Sequence, residues 1–151
     1  MTVPLRPQYL VVMGEHYMND HIKPVEKSIE ANVEVAEITQ TILNYMVGDM
    51  ESRAQALHPS LVKRTFAPHP RTKAQVLRVL TRSQLIEGAR HTPKGASRQK
   101  NKDWNINITV LDIHENIATA KAINPFCIDY IHLAKIGAQW KIMDIFYAPV
   151  Q

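Results

Sequence analysis

FCIDYIHLAKIGAQWKIMDIFYAPV, residues 126–150, is the stretch that decides the fold. Two long runs of β-forming residues flank the dipeptide Gly137-Ala138. A glycine in the first position of a two-residue loop is typical of a type II′ turn, which joins antiparallel strands. The stretch therefore predicts a β-hairpin that turns at Gly137-Ala138.

This turn predicts the register of the hairpin, pairing Leu133 with Ile142, Ile131 with Asp144 and Asp129 with Phe146. Strand side chains alternate between the faces of a sheet. One face would then carry Asp129, Ile131, Leu133, Lys135, Trp140, Ile142, Asp144 and Phe146, and the other Ile128, Tyr130, His132, Ala134, Lys141, Met143, Ile145 and Tyr147. Both faces are rich in apolar side chains, so both need a cover.

The rest of the chain predicts helices first and strands afterwards. This order is typical of an α+β protein with a four-strand antiparallel meander at its end, not of alternating β/α units. The predicted elements are a helix over 29–46 that ends at Gly48, a short helix N-capped by Asp49 and stopped by Pro59, a strand over 61–66, a helix opened by the capping box Thr81–Gln84, and strands over 104–113 and 117–123.

Composition limits the possible classes of function. A chain of 151 residues fits one domain; we assign 29–151 to it and 1–28, which contains three prolines, to an N-terminal arm. The single cysteine, Cys127, excludes an internal disulfide. The longest apolar run near the start, Tyr9–Met13, is too short for a signal peptide or a membrane span, so we expect a cytoplasmic protein without membrane contact.

The net charge of +4 comes from one segment, 90–103, which holds five basic residues and one acidic residue. Its hydrophobic residues show no periodicity, which predicts an exposed loop at the rim of a site. Only Trp104 adjoins it as an aromatic residue, which argues against nucleic-acid binding. The histidines show no metal-ligand spacing and the chain has no glycine-rich phosphate loop, so we expect neither a metal nor a nucleotide cofactor.

The helices can cover only one face of the terminal hairpin. Nothing else in the chain remains to cover the other face. We therefore expect a homodimer that packs sheet to sheet.

Eight short segments of the chain resemble the nuclear transport factor 2-like superfamily, and within it the bacterial family labelled "putative lumazine-binding", near the SnoaL-type polyketide cyclases. The resemblance implies a cone-shaped fold, in which a curved antiparallel sheet wraps about three helices, with a pocket at the open end and dimers through the convex face. At position 115 this chain has Glu115 where the family has glycine, which predicts a wider turn. The resembling segments are 45–49, 57–59, 62–64, 80–81, 85–86, 129–133, 135–136 and 140–142.

Enzymes of this superfamily place a few polar side chains in an apolar cone. A carboxylate in a dry pocket becomes a base near neutral pH. By the predicted register Asp129 and Asp144 fit that description, unless they are wet edge residues. Tyr130 and His132 would form the acid–base pair if their face lined the pocket instead, and the sequence leaves both possibilities open. The expected pocket lining also includes Ile131, Leu133, Phe146 and Trp104.

The sequence thus predicts a protein that binds a small, largely apolar organic ligand. The alternative is a cofactor-independent isomerase, cyclase or dehydratase that uses Asp129 or His132 as its base. A third possibility is an interaction domain whose interior is filled by side chains.

Overall fold

A computed structural model describes residues 24–91, 102 and 104–150, with side chains from residue 30 onwards. Within this part of the chain, three helices pack on one face of a six-stranded sheet of order β2-β1-β6-β5-β4-β3. Neighbouring strands are antiparallel except β1 and β6, which run parallel, so the predicted antiparallel sheet is in fact mixed. The elements are α1 (Pro24–Val47), α2 (Met50–Ala56), β1 (Leu57–Pro68), β2 (Gln75–Thr81), α3 (Arg82–Glu87), β3 (Asn107–His114), β4 (Ile117–Ile123), β5 (Cys127–Ile136) and β6 (Gln139–Pro149).

The helix signals in the sequence are confirmed. Asp49 caps α2, because its carboxylate accepts a hydrogen bond of 2.9 Å from the Ser52 N–H. Thr81 and Gln84 form the predicted capping box at the start of α3. Helix α1 begins at Pro24, where a missing N–H costs a first turn nothing, so five residues that we counted with the N-terminal arm are helical.

The first two strands differ from the prediction. β1 is twice the length expected and includes Pro59. Its ladder with β6 is interrupted between Leu57 and Val62, and proline is tolerated there because no N–H is required. β2 was not predicted at all. It pairs with β1 from Val62 to Pro68 and forms one edge of the sheet.

Two of the three hairpin turns of the meander, β3–β4 and β5–β6, can be compared with the prediction, and both are tight. Ile136 pairs with Gln139, and Gly137 has a φ of +63°, which confirms the two-residue turn that its sequence predicts. The wider turn expected at Glu115 is wrong. His114 pairs with Ile117, and Glu115 itself takes the left-handed conformation with a φ of +50°.

An extra residue in β6 changes the register of the terminal hairpin. Leu133 pairs with Ile142 as predicted, but His132 pairs with Asp144, which leaves Met143 as a β-bulge between them. Beyond the bulge, Asp129 lies opposite Tyr147 instead of Phe146. A bulge reverses which face the following residues occupy and increases the local bend of the strand. The predicted pairings of Ile131 with Asp144 and of Asp129 with Phe146 are therefore wrong.

The sheet has two distinct faces, which we call the inner face, packed against the helices, and the outer face. The helices pack against the inner face through a continuous hydrophobic core. The buried core between them consists of Ile38, Ile42, Tyr45, Met46 and Val47 of α1, Ala118, Ala120 and Ala122 of β4, Ile131 and Leu133 of β5, and Trp140, Ile142 and Ile145 of β6, with Ala56, Leu57 and Leu61.

Two arginines hold the helices together by binding backbone carbonyls. The Arg53 guanidinium donates to Met46 and Gly48 at the end of α1, at 3.2 and 3.3 Å, and to Leu85 of α3 at 3.0 Å. Burial lowers the pKa of Arg53, although arginine stays charged in this setting. Arg82 donates in the same way to Ala54 and Leu57. Carbonyls that a helix end leaves unpaired are thus satisfied by side chains.

The corner between α1 and α2 tolerates only glycine. A Cβ at Gly48 would lie 2.1 Å from the Asn44 carbonyl oxygen and 2.7 Å from the Ser52 Cβ. We expect Gly48→Ala to lower the free energy of unfolding by about 3 kcal/mol or more, because backbone atoms must shift. Gly88→Ala is the matched control, since its Cβ meets nothing closer than 3.5 Å. Urea unfolding measures both, and equal losses would contradict this account.

The N-terminal arm up to residue 23 and residues 92–101 and 103 of the basic segment lie outside the described residues. The predictions that 1–28 form an arm and that 90–103 form a loop at the rim of a site stay predictions for those parts. The described residues include no helix long and apolar enough to cross a membrane.

Candidate functional site

Three polar side chains meet on the inner face, deep in an otherwise apolar interior. The Lys63 ammonium donates hydrogen bonds to both oxygens of Asp129, at 2.9 and 3.0 Å, and to the Tyr45 hydroxyl at 2.7 Å. The Tyr45 hydroxyl in turn donates to Asp129 at 3.2 Å. Asp129 has no exposed surface, and Lys63 and Tyr45 are each 6% exposed. We call these residues the inner cluster.

Each member of the inner cluster comes from a different element. Tyr45 is on the last turns of α1, Lys63 is on β1 and Asp129 is on β5. Lys63 faces inwards because it alternates with Leu61 and Thr65, which are also buried. A lysine and an aspartate buried in apolar surroundings need each other, since an unpaired charge there is strongly unfavourable. The cluster therefore connects helix α1 to two strands of the sheet, β1 and β5.

Cys127 and Tyr147, both partly exposed, border the inner cluster. The Cys127 thiol donates to Asp129 at 3.3 Å. Its burial, together with the charge of Asp129, raises the pKa of Cys127 to about 11, so the thiol stays protonated near neutral pH. The Lys63 ammonium lies 4.3 Å from the centre of the Tyr147 ring, which is a cation–π distance.

Burial is also the main reason why both tyrosines here resist ionisation. It raises the pKa of Tyr45 well above its usual value, and the charge of Asp129 adds to the effect. Burial raises the pKa of Tyr147 as well, with smaller contributions from Cys127 and Asp129. Neither hydroxyl is a candidate base near neutral pH, and that of Tyr45 acts as a neutral hydrogen-bonding group.

The turn before β5 fixes the position of Cys127. The Asn124 side-chain oxygen accepts hydrogen bonds from the backbone N–H groups of Phe126 and Cys127, at 2.8 and 2.9 Å. Trp104, predicted as a pocket residue, is half-buried, packs against the core and meets Phe126 edge to face with ring centroids 5.5 Å apart.

The structure separates the predicted site residues into two groups. Asp129 is in the inner cluster, and Ile131 and Leu133 are buried beside it on the inner face of β5. The others lie on the outer face. They are Tyr130, His132, Asp144 and Phe146, of which Tyr130 and Phe146 are 50% and 42% exposed. The Asp144 carboxylate binds the Arg64 guanidinium at 2.6 Å, and the His132 Nδ1 lies 3.9 Å from the same carboxylate. Asp129 and Asp144 therefore do not share a pocket.

Sequence reasoning missed Tyr45, Lys63 and Tyr147. The signal for Lys63 was its alternation with Leu61 and Thr65 in a predicted strand, but Val62 and Phe66 make the opposite face of β1 look equally apolar. The prediction put Tyr147 on the face of the sheet that does not carry Asp129, because the Met143 bulge has no sequence signature of its own.

Clefts lined by described residues also occur away from the inner cluster. One of about 300 Å³ on the outer face is bordered by His114, Ile117, His132 and Met143. Another of about 290 Å³ lies between α1, the end of α2 and the β5–β6 turn. No group of three or more potential metal ligands occurs among the residues described by the structure.

Comparison with known proteins agrees with this architecture. The fold is that of the nuclear transport factor 2-like superfamily. A protein of this class and of unknown function from Silicibacter pomeroyi DSS-3 superposes with a TM-score of 0.55 at 12% identity, covering 85% of this chain and 100% of its own. Another such protein, from Methylobacillus flagellatus KT, superposes with a TM-score of 0.54 at 15% identity, covering 79% of this chain and 94% of its own.

Family assignment is more specific than the fold. Residues 33–148 match the family described as "Putative lumazine-binding", so the chain belongs to that family.

The β subunit of a putative aromatic-ring-hydroxylating dioxygenase from Novosphingobium aromaticivorans shares the fold at a TM-score of 0.51 and 9% identity, covering 81% of this chain and 92% of its own. No curated protein matches the sequence.

The inner cluster makes a prediction about stability. Removing one member of a buried ion pair leaves an unpaired buried charge, so we expect Lys63→Met or Asp129→Asn alone to lower the free energy of unfolding by about 3–5 kcal/mol. The double variant should lose less than the sum of the two. Urea unfolding of all three variants measures the coupling.

Arg64 and Asp144 provide the matched control on the outer face, where both side chains are more than one-third exposed. Arg64→Met and Asp144→Asn should each cost less than about 1 kcal/mol. Strictly additive losses at the inner pair, or equal losses at the two pairs, would contradict the assignment.

Proposed function

We propose that the protein binds a small, largely apolar organic molecule on the inner face, beside the inner cluster. The observation that carries this proposal is a buried, internally paired set of charges in an apolar interior. Cys127 and Tyr147 extend the cluster to partly exposed surface, which gives a ligand a route to it. Ligand sites of this kind combine apolar walls with a few fixed polar groups.

Physical reasoning favours a functional origin for this cluster. A buried ion pair is on average no better for stability than apolar residues of the same volume. Groups held buried beside a specific charge partner are instead common at functional sites. Lys63 covers one face of the Tyr147 ring, and because Tyr147 is only half-buried, the rest of the ring can contact an apolar ligand.

The alternative function is that of a cofactor-independent isomerase, cyclase or dehydratase with Asp129 as its base. Three potential proton-transfer groups in mutual contact favour it. However, the Asp129 carboxylate already accepts hydrogen bonds from Lys63, Tyr45 and Cys127. A general base needs an oxygen that can reach the substrate. Binding is therefore the better-supported function.

A role for Tyr130 and His132 as an acid–base pair would require a substrate on the outer face. Their side chains are exposed there, where His132 is 65% exposed. Side chains as exposed as these have no apolar walls around them that would enclose a substrate. We therefore assign these two residues to a contact surface.

We also propose a homodimer through the outer face. An apolar patch there, defined by Phe66, Leu77, Val79, Tyr130 and Phe146, is 42–57% exposed. Contiguous exposed apolar surface of this kind is typical of protein interaction sites.

The free thiol of Cys127 supports a cytoplasmic location, where thiols stay reduced.

A fluorescent apolar probe, anilinonaphthalene sulfonate, tests the ligand site. We expect the folded protein to bind it, and Tyr147→Ala to weaken binding about tenfold, because the substitution removes an aromatic wall. Leu111→Ala is the control, since Leu111 is an exposed apolar side chain outside both the inner cluster and the outer-face patch, and it should leave the affinity unchanged. Equal effects of the two substitutions in fluorescence titrations, or no binding by the folded protein, would refute the proposed site.

Sedimentation equilibrium tests the dimer. Phe146→Glu should convert a dimer to a monomer, because it places a charge at the centre of the outer-face patch. Val33→Glu is the matched control, since Val33 is an apolar side chain on α1 that is 52% exposed. A wild-type protein that sediments as a monomer would exclude the dimer.

A further inference from the structure

Arg78 brings a positive charge to the inner face of β2, an edge strand of the sheet. It pairs with Thr65 of β1, which is buried on the inner face. The residues two positions before and after it in β2, Val76 and Leu80, are apolar and half-buried. The strand therefore has a guanidinium at a position where its alternation calls for an apolar side chain.

Arg78 and Tyr147 belong to one row of side chains that crosses the inner face. One residue beyond the last pair of the parallel β1–β6 ladder, Thr65 lies beside Tyr147, and Tyr147 pairs with Asp129 of the inner cluster. Neighbouring strands are about 4.8 Å apart, so the backbones of Arg78 and Tyr147 are separated by about 10 Å across β1. Two long side chains at this separation can contact the same small molecule.

The polar groups that this row leaves available are hydrogen-bond donors. Both oxygens of Asp129 already accept hydrogen bonds within the inner cluster and from Cys127. Across the described ranges, the Arg78 guanidinium makes one hydrogen bond, to the Pro68 carbonyl at 3.3 Å, so several of its N–H groups remain. Burial raises the pKa of Tyr147, and Arg78 opposes only part of that rise, so the hydroxyl keeps its proton near neutral pH.

The charge left over in this row is positive. Lys63 and Asp129 form an ion pair with each other, whereas Arg78 forms none with the residues that the structure describes. A guanidinium can donate two parallel hydrogen bonds to a carboxylate, and a protonated phenol can donate another. A phosphate monoester would bring about two negative charges to this single guanidinium, so a carboxylate matches it better.

We propose that the inner-face ligand is a carboxylic acid with an apolar body. Its carboxylate binds the Arg78 guanidinium and the Tyr147 hydroxyl, and its body lies along the exposed part of the Tyr147 ring. This inference rests on the proposed function and adds to it the chemical class of the ligand.

Isothermal titration calorimetry with three naphthalene compounds tests the proposal. They are 2-naphthoate, the neutral 2-naphthalenemethanol and 2-naphthyl phosphate, which share one apolar body and differ in the polar group. At neutral pH the carboxylic acid is ionised. We expect 2-naphthoate to bind about tenfold more tightly than the alcohol, because hydrogen bonds between charged groups are stronger than neutral ones.

Variants connect this preference to Arg78. Arg78→Gln should weaken 2-naphthoate binding about tenfold and leave the affinity for the alcohol unchanged. The side chain is exposed, so the variant is expected to fold. Tyr147→Phe keeps the ring and should weaken 2-naphthoate binding severalfold. Arg64→Gln is the matched control, since it removes the same charge from the outer face of β1, and it should keep the preference.

The outcomes separate this inference from the proposed function. If the alcohol binds as tightly as 2-naphthoate, if the phosphate ester binds more tightly than both, or if the variants at 78 and 64 have equal effects, the ligand is not a carboxylic acid held by Arg78. The inner-face site would stand, and Arg78 would serve only to keep the β2 edge from pairing with another sheet. If none of the three compounds binds, the proposed function fails and this inference fails with it.

Discussion

One extra residue in β6 determines which side chains face the interior of this protein. Met143 has no partner in β5, so the alternation of side chains changes phase between Ile142 and Asp144. Ile142 and Ile145 can then both be fully buried although they are three positions apart. The same shift places Tyr147 opposite Asp129 and excludes Asp144 from the interior. The position of Tyr147 beside the inner cluster and that of Phe146 on the outer face both follow from this bulge.

Within that frame, the inner cluster replaces apolar packing at the junction of α1, β1 and β5. Its ammonium, carboxylate and phenol satisfy one another, so the two buried charges are paired. Such an arrangement restricts where the three elements can sit, because hydrogen bonds are directional and dispersion contacts are not. A ligand beside it would meet groups that are already fixed in place.

How much the sequence predicts depends on whether a signal is local. Helix caps at Asp49 and Thr81 and the turn at Gly137 are local, and each is where the sequence placed it. The α+β class follows from the order of these elements. A bulge has no local signature, so the pairing beyond Met143 could not be predicted, and two residues of the expected site, Asp144 and Phe146, lie on the other face. Lys63 was missed because both faces of its strand carry apolar residues.

The parallel pairing of β1 with β6 has a consequence for how the chain acquires its structure. β6 lies in the middle of the sheet, between β1 and β5, although it is the last strand in sequence. The ladder between residues 57–64 of β1 and 142–146 of β6 therefore cannot form until the whole chain between them is present. Contacts between such distant positions slow folding. During synthesis, the edge of β1 that pairs with β6 therefore stays unpaired until residues 142–146 have been made.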